Sequence, residues 1–373
     1  MQGTAVNKLK EFLKKETVLC IAVLLAVVSS FFYVPKAEYI DWEVLSVLLA
    51  LMLVVAGLKS VHFLDWAAVE LLNGCTGSRQ AVLALVGITY VSSMFVTNDV
   101  ALITFVPLAL ISGRRIKMDV GRVVILQTLA ANLGSMMTPP GNPQNLFLYA
   151  RYGYDALGFF RVMAVPGLLS AAFLLVLIYR GRSRPLHMEL ERRGSPPRLL
   201  TGLYLALLAL NIAAVLHAVD KTAALAVTAA AVLAADRKLF FSVDYSLLVT
   251  FIGFFIFIGN ISHAGFVQTL QDSVLGSEAG TYIAGLAASQ FVSNVPAAML
   301  LAGMTKEADA LLLGVNIGGL GTLIASMASV ISYKLFAAEH PYQAGAYLRM
   351  FLYYNFAGLL LIGGLTYFYL IYW

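Results

Sequence analysis

The stretch MFVTNDVALITF, residues 94–105, places an aspartate, Asp99, in the middle of an otherwise apolar segment. Moving an ionised carboxylate out of water costs several kcal/mol unless something offsets the loss. Asp99 is therefore either outside the apolar phase or held in it for a purpose.

The chain around it has the composition of a membrane protein. Of its 373 residues 60% are hydrophobic and 12% charged, against roughly 25% charged in soluble domains. Apolar runs of about 17 to 25 residues recur, long enough to cross a hydrocarbon core about 30 Å thick. They do not alternate at period two, which argues against a transmembrane β-barrel. The net charge of +5 comes mainly from Lys and Arg in short loops. That is an orientation signal, and no nucleic-acid partner is expected. Cys20 and Cys75 suggest neither a disulfide nor a metal site. The amino terminus, NKLKEFLKKETVLCIAVLLAVVSSFF, has an apolar part longer than a signal-peptide core and no clear cleavage site. It predicts a cytoplasmic basic amphipathic segment over 1–16 followed by a retained first span.

The expected fold is an all-α polytopic membrane protein with about nine full spans. They lie near 17–34, 40–58, 119–150, 162–180, 199–217, 221–235, 243–261, 306–336 and 343–372. Two apolar stretches, 79–112 and 279–304, do not fit as simple spans. Each carries a polar tripeptide near its centre, Thr97-Asn98-Asp99 and Ser293-Asn294-Val295. Read as re-entrant hairpins that do not cross, they leave about 20 of the 25 Lys and Arg on the cytoplasmic side. If only the first crossed, the basic loop at 180–198 would fall outside.

The two halves resemble each other. SSMFVTNDVALITFVPLAL answers to ASQFVSNVPAAMLLAGM, and AANLGSMMTPPGNPQN to GVNIGGLGTLIASMAS. Asn132, Gly134 and Thr138 match Asn316, Gly318 and Thr322 at the same internal spacing. Crossing parity makes the repeat inverted. The first half runs over 17–180 (hairpin 79–112, broken helix 119–150). The second runs over 199–373 (hairpin 279–304, broken helix 306–336), and a cytoplasmic linker over 181–198 joins them.

Pro139, Pro140 and Pro143, with Gly134 and Gly141, cannot all lie in one continuous helix. The span should unwind near 138–145, and Gly318, Gly319 and Gly321 should loosen its counterpart. Unwound backbone is tolerated at membrane depth only inside protein or beside a water-filled cavity. Half-helix N–H ends there suit a small anion, and freed carbonyls suit a cation. The bland alternative is that the glycines only permit close helix packing.

With these motifs the chain resembles the ion transporter superfamily: divalent anion:sodium symporters, citrate permeases, one class of sodium/proton antiporters and the membrane subunits of arsenite pumps. The first broken segment is similar to the family pattern Asn-Ile-Gly-Gly-x-x-Thr-Leu-Ile-Gly-x-Pro-x-Asn. Asn132, Gly134, Thr138, Gly141, Pro143 and Asn145 match it, and Ser135 replaces the second Gly. The resemblance implies a secondary transporter, not an enzyme, that moves a small anion (carboxylate or inorganic oxyanion) by symport or antiport with sodium or protons. No other cofactor is implied. Sodium/proton antiport and arsenite or oxyanion efflux are the alternatives. The resemblance places cation or proton coupling at Thr97, Asn98, Asp99, Asn132, Gly134, Ser293, Asn294, Asn316 and Gly318, where sodium would bind. Substrate binding falls to Asn98, Asn294, Thr138, Asn142, Thr322 and Ser326. It further implies a cell-membrane location, an elevator or rocking motion, and a homodimer. The anion symporters carry Ser-Asn-Thr at both tips, whereas this chain lacks the third-position hydroxyl twice. That argues against a dicarboxylate substrate, and the Asn98-Asp99 tip looks more like the arsenite-pump and antiporter branches.

Asp99 has two roles open to it as a coupling group: binding sodium beside freed carbonyls, or carrying a proton. A third is structural, an N-cap accepting from the N–H groups of Ala101 or Leu102. Other classes fit less well. Intramembrane hydrolysis needs a Ser–His pair, two aspartates or a zinc site, and the chain has one deep Asp and no deep His. A passive pore with re-entrant loops is the remaining non-carrier reading.

Overall fold

The computed structural model describes residues 16–116, 119–185, 190, 194–262 and 265–372. The expected amphipathic segment over 1–16 lies almost wholly outside them, as do residues 186–189 and 191–193 of the expected linker.

Every named element among the described residues is helical. The first half holds α1 (Thr17–Ser30), α2 (Trp42–Ser60), α3 (Phe63–Asn73), α4 (Ser78–Val96), α5 (Asn98–Ile116), α6 (Val120–Ser135), α7 (Pro143–Arg151) and α8 (Ala156–Tyr179). The second holds α9 (Arg198–Val215), α10 (Lys221–Asp236), α11 (Tyr245–Ile261), α12 (Gly265–Leu270), α13 (Glu278–Val292), α14 (Asn294–Ala302), α15 (Ala308–Ile317), α16 (Met327–Glu339) and α17 (Ala344–Tyr372).

Many acidic residues of this sequence start helices. Asp41, Asp119, Asp155, Asp220 and Asp244 each accept a hydrogen bond from the backbone N–H three residues on. Such caps satisfy donors that a helix start leaves open. Capping accounts for the position of each of them in the sequence.

Helix α6 is buried all round from Val123 to Ser135, and α15 from Ala310 to Ile317. Apolar helices without a solvent or lipid face belong at the centre of a bundle. The peripheral α17 instead exposes Leu360, Leu361 and Phe368. In each half the first hairpin arm packs along the central helix, α4 on α6 and α13 on α15. The second arms cross over: α5 packs against α16, and α14 against α7. Around this centre α2 packs with α9 and α10, and α1 with α11.

The nine expected spans do not all appear as single long helices. Among the described residues five helices are long and apolar enough to cross a membrane alone, or six if the pair 221–242 and 245–261, bent by 74°, counts as one. Two of the nine expected spans are broken by the Pro and Gly runs. Three others, α1, α10 and α11, have 14, 16 and 17 residues. Conversely α4, expected as one arm of a re-entrant hairpin, has 19 residues and passes the same test. Helix α3 lies between the expected span over 40–58 and the hairpin over 79–112, where no element was expected.

Candidate functional site

The two hairpins turn on single residues with matching, uncommon backbones. Thr97 has φ 72° and ψ 154°, and Ser293 has φ 74° and ψ 153°. This region is almost confined to glycine, and a side chain there costs of order 1–3 kcal/mol. Asn98 and Asn294 follow the turns and begin α5 and α14.

Each central helix breaks in the same way. After α6 the chain passes Thr138, a 3₁₀ turn over Pro139–Gly141, and Asn142, which starts α7. After α15 it passes Thr322, a 3₁₀ turn over Leu323–Ala325, and Ser326, which precedes α16. Asn142 caps α7, its Oδ1 accepting from Asn145 N at 2.8 Å with Pro143 at the first helical position. Proline suits that position because its missing N–H would have no helical partner.

Tip and break are fastened together by equivalent bonds. The Thr138 hydroxyl donates to Met94 O, and Thr322 Oγ1 donates to Gln290 O at 2.9 Å. Met94 and Gln290 each lie three residues before their tip. A Cβ on Gly134 would meet Tyr90 O at 2.3 Å and Ser93 Oγ at 2.5 Å, and one on Gly318 would meet Ser289 Oγ at 2.8 Å. Ser93 and Ser289 each lie four residues before their tip. The two glycines therefore let the hairpin arm lie directly on the central helix. Their carbonyls are also engaged, Gly134 O by Met137 N and Gly318 O by Gln290 Nε2. Both glycines therefore have a packing role at the tips.

The breaks free fewer carbonyls than their prolines and glycines suggest. Asn145 Nδ2 donates to Ser135 O, Met136 O and Thr138 O at 3.4, 3.0 and 3.1 Å. Gln290 Nε2 donates to Gly318 O and Leu320 O at 2.8 and 3.0 Å, and its Oε1 accepts from Thr322 N. One side-chain amide per half thus takes the place of lost helical bonds.

The halves meet through asparagines. Asn132 Oδ1 accepts from Asn98 Nδ2 at 3.2 Å and from Ser326 Oγ at 2.9 Å. Asn316 Oδ1 accepts from Asn142 Nδ2 at 3.1 Å, and Asn316 Nδ2 donates to Asn145 Oδ1 at 2.6 Å. Asn132 Nδ2 also reaches Gly319 O at 3.4 Å. On the other side of Gly319 lies Asn294, whose Nδ2 would be 2.8 Å from a Cβ placed there. The two tips are in this way linked through Asn132 and Gly319.

A cavity of about 520 Å³ leads to the first tip. Exposed Lys59 and Asp244 stand at its mouth, and Asn98, Asp99, Pro140 and Asn142 line it farther in. Asp99 does not cap α5, because the Ala101 N–H goes to Thr97 O and Asp99 Oδ1 is buried without a hydrogen-bond partner. Ser293 Oγ at the second tip is likewise buried and unpartnered. Buried polar groups are nearly always satisfied, so each such orphan calls for an explanation.

A model of the citrate transporter family matches residues 11–312 of this chain. The chain belongs to that family. It is 30% identical to the inner membrane protein YbiR of Escherichia coli over 327 residues, 84% of this chain and 86% of that protein. It is also 30% identical to the uncharacterised transporter MJ0456 of Methanocaldococcus jannaschii over 328 residues, 85% of this chain and 87% of that one. The YdaH transporter of Alcanivorax borkumensis shares the fold, with a TM-score of 0.57 at 14% identity, covering 96% of this chain and 98% of that one. As a member of the family the chain is a multi-pass membrane transporter.

The structure brings all the sequence-derived candidates to the tips and breaks, but it sorts them. Asn98, Asn132, Asn142, Asn316 and Ser326 form the buried cross-linked cluster, and Asn294 lies against it through Gly319. Thr138 and Thr322 are struts between break and hairpin. Asn145 and Gln290, the amides that hold the breaks, were not among the candidates. Nor were Lys59 and Asp244, which sequence alone puts at the ends of separate spans.

Proposed function

We propose that this chain is an ion-coupled secondary carrier of a small anion, either a carboxylate or an inorganic oxyanion. The carrying observation is Asp99, a carboxylate with an unpartnered buried oxygen, at the inner end of a cavity where the neighbouring polar side chains, Asn98 and Asn142, are neutral amides and the charged Lys59 and Asp244 stand only at the mouth. A fixed negative charge beside an anion site repels cargo. Occupancy by sodium or a proton removes that repulsion, so cation and cargo bind together, which is coupling in its simplest form. Asn98 and Asn142 present amide groups to cargo, and Asn294 with Ser293 forms the related half-site. Thr97 and Ser293 set the tips, while Gly134, Gly318, Thr138 and Thr322 position them.

With the amino terminus in the cytoplasm, Lys59 and Asp244 lie on the inner side of the cell membrane and the cavity faces inward. The tips are then re-entrant, and alternating access needs the hairpin-bearing centre to move against the surrounding spans, in a monomer or a homodimer. The presence of two carboxylates, Asp99 and Asp244, on one cavity favours sodium/proton antiport as the second reading.

The test is thermal unfolding of the purified protein with citrate and other small anions, with and without sodium, at two pH values. A ligand at 100 times its dissociation constant stabilises by about 2.7 kcal/mol. Anion stabilisation that depends on sodium or pH is the expected result. Stabilisation by sodium or pH alone, with every anion inert, would favour antiport.

A further inference from the structure

The arginines at one end of α4 and α6 have no part in the site above, yet they converge. Arg79 on α4, Arg122 on α6, and Arg182 and Arg184 after α8 line a cavity of about 270 Å³ together with one carboxylate, Asp119. Asp119 Oδ1 is occupied capping α6, accepting from Arg122 N at 3.1 Å. Among the described residues none of the four arginines has a carboxylate partner. The Arg79 guanidinium donates to Gly181 O at 3.1 Å and lies 5.3 Å from the centre of the Tyr179 ring, leaving its Nε buried without a partner. Arg122 donates to Leu177 O. Both guanidiniums are thus held in place by backbone carbonyls that bring no negative charge.

The wall on which Arg182 and Arg184 stand is also fixed. Ser78 N donates to Arg184 O at 2.9 Å, and Arg184 N donates to Ser78 Oγ at 3.0 Å. Gly77 and Pro185 form an isolated antiparallel bridge. Four positive charges around one carboxylate, two of them on preset guanidiniums, leave an excess of like charge that a further anion in the space would offset. Planar guanidinium forks match the oxygens of a phosphate two at a time, a geometry that a spherical halide cannot use. Val82, Val123, Leu126 and Ile178 supply an apolar side to the same cavity.

We infer that this arginine pocket is a binding site for a phosphate group, separate from the asparagine cluster, carried either by a free phosphate compound or by a phospholipid headgroup. Because its arginines come from the first hairpin arm, the central helix and the segment after α8, bound phosphate fastens these three together.

The experiment uses the full-length protein. In neutral detergent, unfolding is followed while inorganic phosphate is titrated against chloride at matched ionic strength. In lipid discs, phosphatidylcholine alone is compared with phosphatidylcholine containing phosphatidylglycerol. Stabilisation by inorganic phosphate assigns a free compound. Stabilisation by phosphatidylglycerol alone assigns a headgroup. In either case the double variant R182Q/R184Q, altered only at exposed side chains, should melt at or slightly above the wild-type temperature without ligand, because it removes like charges, and bind about tenfold more weakly. No stabilisation beyond matched chloride in either arm overturns the inference. So does a double variant that is stabilised as strongly as the wild type.

Discussion

Asn142 Nδ2 donates to Asn316 Oδ1 at 3.1 Å, joining residues 174 positions apart. Its counterpart is the bond from Ser326 Oγ to Asn132 Oδ1 at 2.9 Å. Asn132 matches Asn316 in the repeat, and Asn142 matches Ser326, so each bond is the image of the other. Reciprocal contacts of this kind are what a two-fold relation between halves produces. Asn316→Ala removes the acceptor of one Asn142 Nδ2 bond and leaves Asn145 Oδ1 without its donor, and should cost about 1–3 kcal/mol. Ser326→Ala should cost less, near the average of about 0.6 kcal/mol for interhelical bonds in membranes. A double-mutant cycle on Asn142 and Asn316, read by unfolding in detergent, should show coupling. Strict additivity would contradict a direct bond.

The tips lend themselves to an opposite kind of test. Thr97 and Ser293 hold a backbone that glycine adopts freely. Thr97→Gly and Ser293→Gly should therefore leave stability unchanged or raise it, by up to about 1 kcal/mol. Comparable falls in melting temperature for both would mean that the hydroxyls, not the backbone, hold the turns.

Asn145 acts through its amide donor. Asn145→Asp preserves shape but sets a carboxylate against three backbone carbonyls. It should therefore destabilise at least as much as Asn145→Ala, whose cost is about 1–3 kcal/mol. If the Asp variant melts like the wild type, the carbonyls of the break find their donors elsewhere.

Gly134→Ala forces a methyl to within 2.3 Å of Tyr90 O, a backbone atom that cannot rotate away. The expected cost is about 1–3 kcal/mol, with reduced transport because the hairpin arm is displaced. Gly87, on the same arm with nothing within 4 Å of an added Cβ, is the control, and Gly87→Ala should be neutral or slightly stabilising. Equal effects at both positions would remove the close-approach explanation.

The positions of tips and breaks were legible because they depend on local covalent facts. Proline cannot donate, glycine has no Cβ, and a short polar run inside an apolar stretch has few places to go. What each amide bonds to was not legible. Asn145 and Gln290 hold backbone carbonyls, whereas Asn132 and Asn316 cross between halves, yet all four are amides in apolar surroundings. The difference depends on which helices meet, and that is decided by packing among distant segments. The cavity mouth is a similar case, since Lys59 and Asp244 are separated by about half of the chain and each reads as an ordinary helix-end residue. Asp99 stood out for the opposite reason: a lone carboxylate in an apolar run is conspicuous before any partner is known.

The most direct test is flux of a stabilising anion into liposomes containing wild-type or D99N protein, measured with and without sodium or proton gradients. The amide keeps the size of the side chain and removes its charge, so the variant should fold and exchange cargo while its transport no longer responds to either gradient. Gradient-driven accumulation equal to that of the wild type would show that Asp99 does not couple cation to cargo.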